Sequence, residues 1–112
     1  MASDAERVRD LLVPHLMGRL DDPSATLEVT GLEIVERGRA FEIVVELLAD
    51  GQRWRVRLPR DNADRVLFDG APPYHVVRGI AGMARVQLFE WWHTKGHERR
   101  SAKLGERLRP AD

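Results

Sequence analysis

The chain has 112 residues, with 18 lysine and arginine side chains balanced by 18 aspartates and glutamates, and no cysteine. That length fits one domain with a modest core, and the absence of cysteine excludes a disulfide framework and thiolate chemistry. No apolar run reaches the ~18 residues of a membrane-spanning helix, and a charged content of 32% beside 43% hydrophobic residues marks a folded chain.

Ser3-Asp4-Ala5-Glu6 has the spacing of a capping box, with Ser3 as N-cap. Val8, Leu11, Leu12, Leu16 and Leu20 follow at helical spacing on one face. Pro14 interrupts the pattern and predicts a kink, or a break near Val13. Asp21-Asp22-Pro23-Ser24 reads as the loop leading into a sheet.

The stretch from Thr26 to Leu58 reads as three antiparallel strands. Asp50-Gly51 is a favoured two-residue type I′ hairpin loop. With those two residues as the loop, Leu47 faces Trp54, Val45 faces Val56 and Ile43 faces Leu58. The opposite face pairs Leu48, Glu46 and Val44 with Arg53, Arg55 and Arg57. A one-residue slip would turn those arginines into the core, so the pattern fixes the register. Gly38-Arg39 predicts the preceding turn, with Gly38 at positive φ, Ile34 facing Ile43 and Leu32 facing Val45. Leu27 and Val29 alternate in the opposite phase to Leu32 and Ile34, which predicts a bulge near Gly31.

Between Pro59 and Pro73 the pattern allows either a short helix capped by Asp61 or a fourth strand at Val66-Leu67-Phe68. A long helix then runs from Pro73 to about Lys95 and ends near Gly96. Val77, Ile80, Ala81, Ala84, Leu88, Trp91 and Lys95 form one stripe, and Val76, Met83, Val86 and Phe89 widen the apolar surface beyond it. Gly79 and Gly82 lower helix propensity and suggest a close backbone approach, as over the sheet. The basic segment 97–112 reads as a tail, with a short helix to Leu108 interrupted at Gly105.

The expected architecture is therefore α+β. It has a kinked N-terminal helix, a three- to four-stranded antiparallel meander, a long helix packed on the sheet and a short basic helical tail. The order of helix, meander and helix resembles that of double-stranded-RNA-binding domains. Those carry a lysine cluster at the start of the second helix, where Tyr74-His75-Val76-Val77-Arg78 here offers one basic residue. Element order alone carries no function across.

Charge is uneven along the chain. Residues 1–36 hold eight acidic and three basic side chains, whereas residues 93–112 hold six basic and three acidic ones. The acidic N-terminus lacks the layout of a secretory signal, so the expected location is cytoplasmic.

Five groups of residues are candidates for function. Trp91 and Trp92 are adjacent and so point ~100° apart on a helix; one joins the core and the other either packs on a neighbouring element or, with Phe89, anchors a protein partner. Arg53, Arg55 and Arg57 form a row able to track phosphates, with Glu42 and Glu46 beside them to neutralise it. Arg99, Arg100 and Lys103, within a basic tail that also holds Arg107 and Arg109, offer a second nucleic-acid surface. Glu90, His93 and His97 share a face on a continuous helix and have metal-ligating chemistry, although Gly96 lies inside the spacing. His75 with Asp61, Asp64 or Asp69 would supply an acid–base pair, but no nucleophile or phosphate loop accompanies it.

No convergent catalytic set emerges, and no cofactor is implied. The reading favoured at this level is a non-enzymatic interaction protein, an adaptor, regulator or subunit, that binds a protein partner or itself through the long helix. A nucleic-acid-binding domain is the alternative, and a small metal-dependent or acid–base enzyme the second alternative.

Overall fold

The computed structural model describes residues 3–20, 26–60, 62–94 and 105–108. Its elements are α1 (Asp4–Leu16), β1 (Gly18–Leu20), β2 (Leu27–Arg37), β3 (Ala40–Ala49), β4 (Gln52–Arg60), a 3₁₀ helix (Asn62–Phe68), α2 (Tyr74–His93) and β5 (Gly105–Arg107). The sheet is wholly antiparallel, in the order β1-β2-β3-β4-β5. Both helices pack on one of its faces, α1 over β2 and α2 over β4, in contact with each other. This is an α+β arrangement.

Turn chemistry builds the central meander. Asp50 and Gly51 have φ of 46° and 82°, as a type I′ loop requires, and Ala49 pairs with Gln52. Leu47 opposes Trp54, Val45 opposes Val56 and Ile43 opposes Leu58. Asp50 is also held from outside the hairpin: its Oδ1 accepts the Thr26 N–H at 2.8 Å. At the first turn Gly38 has φ of 61°, and Arg37 pairs with Ala40. The register of β2 on β3 shifts between Val29 and Gly31. That bulge brings Leu27 and Val29 onto the same buried face as Leu32 and Ile34.

The core lies between this face and the helices. Val8, Leu12 and Leu16 come from α1, and Val77, Ile80, Ala81, Ala84, Leu88 and Trp91 from α2. Ser3 caps α1 by accepting the Glu6 N–H at 3.2 Å.

The helix runs through Pro14 and stops at Leu16. Proline removes one bond to the preceding turn and crowds its carbonyl, and Pro14 stands in the helix's last turn, so only two helical residues follow the defect. Leu20, expected on the helical stripe, instead sits in β1 opposite Leu27, because Gly18 at φ 100° turns the chain into the sheet. β1 pairs with Leu27–Val29, and among the described residues the rest of β2 has no strand neighbour on that side. Arg9 Nε donates to the Leu32 carbonyl there at 2.8 Å.

Residues 62–68 form the 3₁₀ helix rather than a strand, with Leu67 buried. Its end is tied to α1, where Arg7 donates to the Phe68 carbonyl at 2.6 Å and the Asp69 carbonyl at 3.0 Å. The helical tail is also corrected. Gly105–Arg107 is a strand paired with Trp54–Val56, and Leu108 N–H donates to the Arg53 carbonyl at 2.8 Å. The expected loop at residues 21–24 and the helix end near Gly96 lie outside the described residues.

One ion pair ties three elements together. Arg60 Nε lies 2.9 Å from Asp64 Oδ2, with side chains 10% and 19% exposed, and Arg60 Nη1 donates to Gln87 Oε1 at 3.4 Å. Removing one member leaves the other charge poorly solvated. Arg60→Ala is expected to cost about 2 kcal/mol in urea denaturation, whereas exposed Arg57→Ala should change stability by less than about 0.5 kcal/mol.

Candidate interaction site

α2 turns one apolar face to the core and carries two exposed apolar side chains on its opposite side. Its twenty residues follow Pro73, whose carbonyl accepts the Val76 and Val77 N–H groups at 3.0 and 3.2 Å. The helix closes at Thr94, whose N–H and Oγ1 both donate to the Glu90 carbonyl. At ~100° per residue, Val77, Ile80, Ala84, Leu88 and Trp91 face the core. The same arithmetic places His75, Gly79, Gly82, Met83, Val86, Glu90 and His93 on the opposite side.

That opposite side is open. Met83 is 54% and Val86 53% exposed, one turn apart. Gly79 and Gly82 flank them, and a Cβ built on either meets nothing within 4 Å. The expectation that these glycines admit the sheet is thus overturned: they face away from it. Neither is required by any contact within the described residues, and each costs helix propensity.

The tryptophans divide as adjacent helical residues must. Trp91, expected among the partner-binding residues, is 5% exposed and packs edge-on against Trp54, with ring centroids 5.3 Å apart. It belongs to the core. Trp92 and Phe89 are half-buried at the flanks of the open face, and the Trp92 ring lies 6.2 Å from Trp91.

The sheet's other face carries the arginine row, and no described helix lies on it. Glu46 sits between Arg53 and Arg55, at 3.8 and 3.9 Å, and Arg37 pairs with Glu42 at 3.0 Å. A groove of about 270 Å³ beside the bulge is lined by Arg9 and Arg55 but equally by Glu33 and Glu46. Alternating charge of this kind gives a phosphate backbone little net attraction. Arg99, Arg100 and Lys103 lie outside the described residues.

The remaining candidates are not assembled into sites. α2 ends at His93, and Glu90 and His93 are both exposed. His97 lies outside the described residues, among which no group of three potential metal ligands occurs. Asp64 is committed to Arg60, and Asp69 lends Arg7 its backbone carbonyl. His75 is exposed, Tyr74 stacks edge-on with His15 at 5.2 Å, and Asp61 lies outside the described residues. Among the described residues, no helix is long and apolar enough to cross a membrane.

The sequence signals a surplus of apolar surface on α2 but not which residues compose it. Angular placement against the Val77–Trp91 stripe is the signal that singles out Met83 and Val86. Comparison with known proteins adds nothing further: no family model, curated protein or solved structure matches the chain.

Proposed function

We propose that this chain is a small non-enzymatic interaction protein whose contact surface is the outer face of α2. The observation that carries the reading is the pair Met83 and Val86, each more than half exposed on a helix whose inner face already fills the core. Contiguous exposed apolar side chains on a folded domain mark contact surfaces. Phe89 and Trp92 extend the surface at its edges, and Arg78 and Arg85 give it a polar rim.

A photoactivatable side chain at position 86 tests this, with the same group at position 57 on the sheet as reference. Discrete protein adducts from position 86, in an extract of the source cells, are the expected result. Adducts from position 57 and none from position 86 would overturn the reading and favour the sheet.

A further inference from the structure

We propose that Arg9 guards an open strand edge: it keeps β2 closed to the β2 of a second copy, and its removal lets two chains pair edge to edge. The surface is distinct from the outer face of α2, so the inference does not depend on the reading above. β1 covers β2 as far as Val29, and beyond the bulge no strand among the described residues covers that edge. The ladder decides which groups lie on it. Arg37 and Ala40 flank the Gly38-Arg39 loop and so form a hydrogen-bonded pair, which makes Val35, Glu33 and Gly31 bond to β3 as well. Leu32, Ile34 and Glu36 turn their N–H and carbonyl groups the other way, onto the open edge.

One contact confirms this alternation: the Leu32 carbonyl accepts Arg9 Nε at 2.8 Å. An outward carbonyl points to where the next strand would bond, so the guanidinium stands in that strand's place. At the far end of the edge, Arg65 Nη2 lies 3.3 Å from Glu36 Oε1. Between these arginines, Leu32, Ile34 and Val35 make a β-prone run of the kind that templates strand pairing. The run is also complementary to itself. About a two-fold axis at Ile34, each Ile34 opposes the other, and Leu32 opposes Glu36 of the second copy. Every outward N–H then meets an outward carbonyl, and the carbonyl that Arg9 already holds is among those required. The same register makes exposed Glu33 of the two copies diagonal neighbours, whose like charges add to the barrier.

Arg9→Met tests the guard, because it keeps the aliphatic stem and removes the guanidinium. Sedimentation and amide hydrogen exchange of the full chain read the result, at high salt to screen Glu33. In the unaltered protein the Ile34 and Glu36 amides should exchange fast, while those of Glu33 and Val35 are protected by β3. In Arg9→Met the mass should rise from 12.8 kDa toward twice that value, with association at least about tenfold stronger, and the Ile34 and Glu36 amides should become protected. Adding Glu36→Pro removes an outward N–H and no bond to β3, and should restore the monomer.

An Arg9→Met protein that stays monomeric, association that survives the proline, or Ile34 and Glu36 amides already protected in the unaltered monomer would each overturn the proposal. Protection lost at Glu33 and Val35 in Arg9→Met would overturn it too, because Arg9 would then hold the strand in place rather than guard its edge.

Discussion

Trp91→Ala is expected to lower stability by about 3–5 kcal/mol, the largest loss of any single change on α2. Its ring is 5% exposed and meets Trp54 at 5.3 Å and 78°, so truncation removes an edge-to-face pair as well as leaving a cavity. The ring also supports β5, because Gly105 lies against it. Trp92→Ala, at a half-buried position, should cost less than half as much. Urea denaturation of the two variants checks the ranking, and equal losses would contradict the division of the pair into core and flank.

Gly105→Ala is expected to release β5 from the sheet. A Cβ there would fall within van der Waals contact of Trp91 Cζ2 and 2.8 Å from Cε2. That ring is 5% exposed and packs edge-on against Trp54, which restricts its withdrawal. The φ of Gly105 is not positive, and the backbone itself accepts alanine; the collision alone drives the effect. Overpacking of this kind costs about 1–3 kcal/mol, and a three-residue edge strand holds on by no more than that. Hydrogen exchange reads the result directly. The Leu108 amide, bonded to the Arg53 carbonyl at 2.8 Å, should lose protection while amides of the β2–β3 ladder keep theirs. A Gly105→Ala protein with Leu108 still protected would show that the ring yields.

The centre of the sheet was legible because its chemistry is local. Asp50-Gly51 specifies one turn type, and that turn specifies every pair from Ala49–Gln52 to Ile43–Leu58. The phase change between Val29 and Leu32 required a bulge, which the register shift at Val29/Gly31 supplies. β1 and β5 were illegible for the opposite reason. Each is three residues long, too short to show an alternation, and each is defined by a distant partner. Leu20 continues the helical spacing of Leu16, and only the φ of 100° at Gly18 diverts it into a strand. Gly105 has the look of a helix break, while its role is to leave room for an indole fourteen residues away in sequence.

The candidate surface was half legible. The apolar surplus on α2 follows from composition, but its glycines suggest contact with the sheet and Trp91 suggests a surface anchor. Both inferences fail on angle: Trp91 falls in the core stripe, and Gly79 and Gly82 fall opposite it. The arginine row, conspicuous in sequence, loses its reach because Glu46 stands between Arg53 and Arg55.

The most direct measurement of where this protein makes contact is an amide chemical-shift map of the labelled chain, recorded with and without an unlabelled extract of the source cells. The account predicts that the amides that move lie along His75, Gly79, Gly82, Met83, Val86 and Glu90, while those of Arg53, Arg55 and Arg57 stay still. Shifts confined to the sheet arginines with α2 unmoved, or no shift anywhere, would contradict it.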